Sequence, residues 1–424
     1  MPSAARILLY ANDHVGHAMA GPGIRYTGLA RALRLHARVV LAVPFPTDTT
    51  IDGVETIHVR PGNHGELTRL ALESDAVIAQ RLPIATALRL AAAPVTTIYD
   101  LYAPTALENL VVESASHDAG FSRTRRANAA ALEVALGTGD AFVCASERQR
   151  DFWLGALLQG RRITPGMLAL DPALRNLIDV VPFGVDAEPP ARGEPVLKGA
   201  RPGIGGADRI LLWPGGVWDW TDPLVVIRAA SEIARRRDDV RLFFLGTRSP
   251  NAGLLRSRAL DQARALAAQV DPGGRTVIFN EGWMPYDDRG RYLLEADIGV
   301  SAHPDSLETR LAYRSRLLDC VWARLPIVTT AGDVLADLVT ERRLGRTVEA
   351  GDVGGWVEAL EALLESSEPE RVALDAVARE MTWERAVEPI LRLVERRGHS
   401  AALRRAGGPA ARYVWRRTLQ RHRS

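Results

Sequence analysis

Residues 281–333 read EGWMPYDDRGRYLLEADIGVSAHPDSLETRLAYRSRLLDCVWARLPIVTTAGD. Apolar runs of strand length at 298–302 and 326–329 flank a helical pattern at 314–323, and another helical pattern at 288–295 precedes them. The strand runs are apolar without strict alternation, which suits strands buried on both faces of a parallel sheet covered by helices.

The same alternation extends in both directions. Strand patterns fall at 209–213, 241–245 and 276–280, with helical patterns at 223–237 and 255–270 and further helices to about residue 397. Upstream, residues 186–207 (DAEPPARGEPVLKGARPGIGGA) are rich in Pro, Gly and Ala without an apolar period, the composition of a linker. Before it, strands are expected at 6–10, 39–43, 55–59, 76–79, 95–99, 141–145 and 179–182, with helices at 24–35, 123–136 and 147–158. The predicted class is α/β, two Rossmann-like domains facing each other across a cleft. The expected division is 1–186, a linker at 187–207, a second domain at 208–397 and a basic tail at 398–424. Ligands of such sheets bind beyond the carboxyl ends of the strands.

A chain of 424 residues is too long for one ordinary core and suits two. Its 47 % apolar and 25 % charged residues are the balance of a globular protein. No run approaches the roughly 18–20 uncharged apolar residues of a membrane span, and the start, MPSAARILLYAND, lacks the design of a signal peptide. A cytoplasmic location is expected. Two cysteines, Cys144 and Cys320, exclude a disulfide framework and a multi-cysteine zinc site. A net charge of +2 does not by itself point to nucleic acid, which is not expected as a partner. Lys198 is the only lysine, so neither a Schiff base nor a lysine phosphate clamp is available elsewhere.

Two glycine-bearing segments lie between a strand and a helix. The first, Gly21-Pro22-Gly23-Ile24-Arg25, follows Ala11-Asn12-Asp13-His14. Glycines before a helix let backbone amides approach an anion, but the Gly-x-Gly-x-x-Gly spacing fails at Tyr26, so the NAD fingerprint is absent. The second is Trp213-Pro214-Gly215-Gly216-Val217-Trp218-Asp219-Trp220. Its tryptophans fit core packing or ligand stacking. In HPDSLETR, Glu308 and Arg310 sit in a polar loop, and Arg314, Arg316 and Asp319 follow. Two arginines two positions apart with a carboxylate one turn on can grip a diphosphate and a ribose. Such residues also occur on salt-bridged, solvated helix faces. His14, His17 and His303 fall in loops after strands. Asp-x-Asp, Gly-x-Ser-x-Gly, Walker and His-Glu-x-x-His motifs are absent, so no metal site is expected.

The segments GPGIRYTGLARAL, DLYAPTALENL, VPFGVD, PGGVWDWTDPL, FFLGTRSPN, EGWMPYDDRGRYLLEADIGVS and LETRLAYRSRLLDCVWARLPIVTTAGD span nearly the whole chain. Together they resemble the family 4 glycosyltransferases, retaining GT-B enzymes that use nucleotide-diphosphate sugars, in particular an actinobacterial group linked to cell-surface polysaccharide. The resemblance implies a metal-independent hexosyltransferase without a cofactor, its nucleotide-diphosphate sugar acting as co-substrate and a glycan or lipid-linked molecule as acceptor. It implies catalytic roles for Glu308, Arg314 and Arg316. Gly21, Gly23, Arg25, Gly215, Gly216, Trp283, Arg310 and Asp319 would bind the donor. His14, Asp100 and Tyr102 would lie on the acceptor side. The family carries two glutamates eight positions apart, whereas Glu308 and Asp319 are eleven apart. Its basic diphosphate clamp is missing from GGVWDWTDP, and Tyr99-Asp100-Leu101-Tyr102 replaces a histidine of its first domain. A nucleotide-sugar 2-epimerase and a non-catalytic GT-B accessory protein are the alternatives. A phosphorylase would need a lysine for pyridoxal phosphate, and Lys198 sits in the linker.

After Glu395 come nine arginines and no acidic residue, with Tyr413, Val414, Trp415 and Leu419 interleaved. The pattern fits an amphipathic basic helix on an anionic membrane surface, or a solubilising tail.

Overall fold

The computed structural model describes residues 4–114, 119–247 and 257–396. The basic tail at 398–424 lies outside the described residues. The chain divides into two compact units. One contains residues 1–16, 21–182 and 383–424, the other residues 17–20 and 183–382.

The first unit holds seven parallel strands: β1 (Arg6–Tyr10), β2 (Arg38–Val43), β3 (Val54–His58), β4 (Ala76–Ala79), β5 (Thr96–Asp100), β6 (Ala141–Cys144) and β7 (Ile178–Val180). Their order is β3-β2-β1-β4-β5-β6-β7. The second unit holds β8 (Arg209–Gly216), β9 (Val240–Gly246), β10 (Val277–Phe279), β11 (Ile298–Ser301), β12 (Ile327–Thr330) and β13 (Gly345–Val348), in the order β10-β9-β8-β11-β12-β13. Every pairing is parallel. Each sheet reverses its winding beside its first strand, between β1 and β4 and between β8 and β11. In open α/β sheets that reversal opens a crevice at the strand carboxyl ends.

Burial explains the apolar strand runs. Strands β4, β6, β11 and β12 are buried at every position. In the second unit, Trp213 and Phe244 meet Val226, Ile227, Ile233, Trp356 and Leu360 in one core. Helix Arg316–Trp322 packs close to β11 because Gly299 leaves room there for the Cys320 thiol. A methyl group at 299 would collide with Sγ.

Several expectations are corrected. Gly21 and Gly23 do not form a loop: they open helix Gly21–Leu33, with Pro22 in its first turn. Proline is tolerated there because the first-turn N–H groups have no intrahelical acceptor. The helical pattern at 314–323 begins at Arg316, and a separate short helix, Leu307–Leu311, precedes it. Residues 312–315 connect the two, so Arg314 is not helical. The helices expected up to residue 397 are interrupted by β13, whose four residues carry too little apolar pattern to announce a strand.

The segment read as a linker is packed against the second unit. Glu295 accepts hydrogen bonds from the amides of Val196, Leu197 and Lys198. Trp322 Nε1 donates to the Glu188 carbonyl, and Leu197 is fully buried. Proline and glycine mark an irregular backbone there, and Glu295 and Trp322 hold it. Residues 383–396, expected in the second domain, group with the first unit. The Trp383 indole covers Gly28 of helix Gly21–Leu33, and Arg392 Nη2 donates to Asp179 Oδ2 at 2.9 Å. Among the described residues, no helix is long and apolar enough to cross a membrane.

Candidate active site

The carboxyl ends of β8 and β11 carry a cluster of charged side chains in the second unit. Strand β8 is disturbed by Pro214, which cannot donate to a ladder, and its register against β9 shifts between Trp213 and Gly216. Gly215 adopts φ +105°, a backbone that L side chains rarely enter. This turn presents the Gly216 carbonyl, which accepts from Trp213 Nε1 at 3.3 Å and from Arg316 Nη1 at 2.8 Å. The Arg316 guanidinium also lies 5.8 Å from the Trp213 ring centroid.

Beyond β11 the chain runs through His303 to Ser306, whose hydroxyl accepts from the Thr309 amide and starts the short helix. Glu308 in its first turn is buried. Arg314 Nη1 donates to Glu308 Oε1 at 3.1 Å and Nη2 to Oε2 at 2.6 Å, a two-pronged ion pair with both side chains at most 5 % exposed. Arg314 Nη2 also reaches Thr309 Oγ1 at 3.3 Å. Its Nε is buried without a hydrogen-bond partner.

His303 is fully buried. Its amide donates to Thr330 Oγ1 at 3.1 Å, and its Nε2 lies 3.2 Å from Ser301 Oγ. Asp333 caps helix Val334–Glu341 through Oδ1, which accepts from the Leu335 and Ala336 amides. Its Oδ2 and His303 Nδ1 stand 4.0 Å apart, and neither has a hydrogen-bond partner.

The electrostatics show what this cluster lacks. Burial, and then the charges of Arg314 and Arg316, hold His303 well below its ordinary value. Burial and then Arg314 likewise lower Arg316, with Glu308 and Asp319 pulling the other way. Burial raises Asp333, with Arg314 pulling the other way. Cations oppose one another here, so an anion arriving beside the arginines would be stabilised.

Asp319 lies one turn after Arg316. Its Oδ1 accepts from Arg289 Nε at 3.1 Å, and Arg289 Nη2 donates to Asp186 at 3.2 Å. The Arg289 guanidinium lies 3.6 Å from the Tyr286 ring centroid and 4.3 Å from that of Trp322. Burial raises the Asp319 carboxyl against the pull of Arg289. Trp283 packs at the end of β9, where a side chain on Gly246 would touch its ring at 3.4 Å, and its indole donates to the Met19 carbonyl at 3.3 Å. Trp218 and Trp220 stack at 5.6 Å, both partly exposed. Arg310 is exposed.

The first unit distributes its expected site residues differently. Arg25 Nε and Nη2 grip both oxygens of Asp100 at 2.7 and 2.9 Å, and Nη2 and Nη1 donate to the carbonyls of Val181 and Pro182. Both side chains are fully buried, with Arg25 4.8 Å from the Tyr102 ring centroid. Burial raises the Asp100 carboxyl and Arg25 partly offsets it. Arg25, expected at the donor, and Asp100 and Tyr102, expected at the acceptor, are thus each other's partners. His14 is half-buried and stacks on Phe45 at 4.0 Å. Sequence reasoning singled out His303 only as a loop residue. It passed over Asp333, whose place before an apolar helix marks a cap.

Residues 208–366 match the family model described as "Glycosyl transferases group 1". That segment is similar to the group 1 glycosyl transferases. Solved structures resemble the chain over most of its length. Sucrose-phosphate synthase from Thermosynechococcus elongatus matches at 15 % identity over 92 % of this chain and 98 % of its own, with a TM-score of 0.60. Anabaena HepE, solved in complex with UDP-glucose, matches at 13 % identity over 92 % and 99 %, also at 0.60. A putative UDP-N-acetylglucosamine 2-epimerase from Listeria monocytogenes matches at 11 % identity over 93 % and 96 %, at 0.55. No curated protein matches the chain. The fold is that of the GT-B glycosyltransferases, two Rossmann-like α/β domains with parallel sheets. Arg314 and Arg316 lie within the matched segment, at the strand ends where such sheets bind ligands.

Proposed function

We propose that the protein is a retaining, metal-independent glycosyltransferase. It would move a sugar from a nucleotide-diphosphate sugar to a glycan or lipid-linked acceptor in polysaccharide biosynthesis. The observation that carries this reading is the half-buried Arg316 guanidinium, tethered to the Gly216 carbonyl in a cluster whose cations oppose one another. A diphosphate gains charge as the sugar departs, and a preorganised cation stabilises that change more than it stabilises the ground state.

In this reading Arg316 contacts the diphosphate. Glu308 and Arg314 form the buried support of the loop that faces the sugar. The backbone of Gly215 and Gly216 approaches the phosphates, Trp283 and Arg310 border the donor, and Asp319 contacts the ribose while bound to Arg289. Gly21 and Gly23 contribute at most through the first turn of their helix, and His14 remains on the acceptor side. With no protein nucleophile assigned, the leaving phosphate would take the acceptor's proton in a front-face attack. The protein's task is then positioning, worth roughly 7–11 kcal/mol.

The nine arginines after Glu395 leave 44 basic and 51 acidic residues in the rest of the chain. They support peripheral attachment to the anionic inner face of the cell membrane, where a lipid-linked acceptor is presented. Co-sedimentation with anionic and neutral vesicles tests that attachment, and no preference for anionic lipid at low salt removes it.

A thermal-shift panel of nucleotide sugars tests the main reading. A ligand at 100 times its Kd should stabilise by about 2.7 kcal/mol, and an unmoved Tm across the panel overturns it. The likeness to the Listeria epimerase supports a second reading, a nucleotide-sugar 2-epimerase. Incubation with donor alone separates the two: epimerised donor favours the second, and a requirement for acceptor favours the first.

A further inference from the structure

His303 and Asp333 place two buried, unpartnered polar atoms face to face. Asp333 spends Oδ1 on its helix and leaves Oδ2 bare, facing His303 Nδ1 across 4.0 Å. That separation is too long for a hydrogen bond. It is the separation expected when an imidazole nitrogen without a proton faces a carboxylate oxygen. A neutral imidazole carries one N–H, and its Nε2 already lies 3.2 Å from Ser301 Oγ. If that nitrogen holds the proton, Nδ1 is an acceptor opposed to an acceptor.

The groups facing His303 come from each element around it: Ser301 on β11, Thr330 on β12 and Asp333 at the head of its helix. Arg314 and Arg316 act on it from the segment after the short helix. Only the two arginines oppose a second proton electrostatically, and Asp333 favours one. Burial opposes it first, and of the opposing causes only the charge of the arginines is one that an arriving anion can neutralise.

We infer that His303 and Asp333 form a proton-linked positioning pair for the anion site. When a diphosphate settles beside Arg314 and Arg316, Nδ1 takes one proton from solvent and donates it in a hydrogen bond to Asp333 Oδ2. No other bond changes. The closed pair ties the end of β11 to the head of helix Val334–Glu341 and fixes the start of the segment that leads to Glu308 and its short helix. The inference rests on the proposed diphosphate site and adds to it a coupling between binding and protonation.

Calorimetry of UDP binding to the full chain, in two buffers of different ionisation heat near pH 7, counts the protons taken up. The comparison is with Asp333→Asn, which keeps an oxygen for the helix cap and offers an amide donor to a neutral Nδ1. UDP's own titration is common to both proteins and cancels in the difference. The natural chain should take up more protons per UDP than Asp333→Asn, with the difference approaching one. Its affinity should fall more steeply as pH rises, by up to about tenfold per pH unit for one linked proton. If Asp333→Asn does not fold, as judged by its melting curve, His303→Gln makes the same comparison. Equal uptake with UDP bound overturns the pair and leaves the nucleotide-sugar reading intact. Failure of the natural chain to bind either UDP or inorganic pyrophosphate overturns both.

Discussion

Arg25 and Arg314 each hold a buried carboxylate with two guanidinium nitrogens, one pair in each unit, and the two pairs end differently. Around Arg25 all three guanidinium nitrogens have acceptors: Asp100 takes two N–H groups, and the carbonyls of Val181 and Pro182 take one each. Around Arg314 the pairing with Glu308 is as tight, yet Nε is unpartnered, and so are the nearby His303 Nδ1 and Asp333 Oδ2. A closed pair fastens a helix to a sheet. An open one leaves polar groups whose burial costs free energy unless something arrives to satisfy them. The same residue types thus serve structure in one unit and candidate chemistry in the other, and the difference lies in the remaining atoms.

The sharpest way to break this contrast is to remove one member of the closed pair. Asp100→Ala leaves the Arg25 charge buried and alone, and should destabilise the protein by about 3–5 kcal/mol. Chemical denaturation measures it, and a loss below about 1 kcal/mol, the scale of exposed pairs, would mean that the pair holds nothing. Next in size is Arg316→Ala. Its turnover should fall by about 10²–10³-fold, the cost of one preorganised electrostatic donor, with acceptor KM little changed. Turnover within a factor of about two would move the clamp elsewhere.

Asp319→Asn should weaken nucleotide binding by roughly 1.5–3 kcal/mol, the worth of a hydrogen bond to a charged group. Unchanged affinity in calorimetry, with a normal melting curve, would confine Asp319 to its bond with Arg289. The smallest effect is on pH. His303 sits well below its ordinary value in the folded state, so the unfolded chain binds this proton first as pH falls. Its contribution is intact above the unfolded value near 6.5 and is lost below it, by up to about 1.4 kcal/mol per pH unit. Without ligand, His303→Asn should flatten that part of the stability profile, and an unchanged profile would mean that His303 binds its proton equally well in the folded and unfolded chain.

Much of the sheet architecture was legible because buried parallel strands are written as continuous apolar runs. Arg6–Tyr10 and Ala76–Ala79 fall where the pattern puts them, and both Rossmann-like units follow from the alternation. The Gly345–Val348 strand was not legible, since Arg346 and Thr347 interrupt its apolar residues. The candidate site was legible as a neighbourhood and not as roles. Sequence spacing brings Glu308, Arg314 and Arg316 into one segment, but cannot say that Arg314 spends both terminal nitrogens on Glu308 while Arg316 turns to the Gly216 carbonyl. That choice is made by a strand bulge a hundred residues away. Likewise Arg25 reads as a loop cation beside glycines until Asp100, distant in sequence, claims it.

The return of residues 383–396 to the first unit sets the order in which the protein can be completed during its synthesis. Helix Gly21–Leu33 is made early, but the indole that covers Gly28 belongs to Trp383, and residues 183–382 are translated in between. At the usual pace of 5–20 residues per second, translating residues 183–382 alone takes on the order of 10–40 s. Through that interval Gly28 stays uncovered on a nascent chain while the second unit is being made. Full protease resistance of residues 21–182 should appear only after residue 396 has left the ribosome. The first domain to be made is thereby the last to be finished.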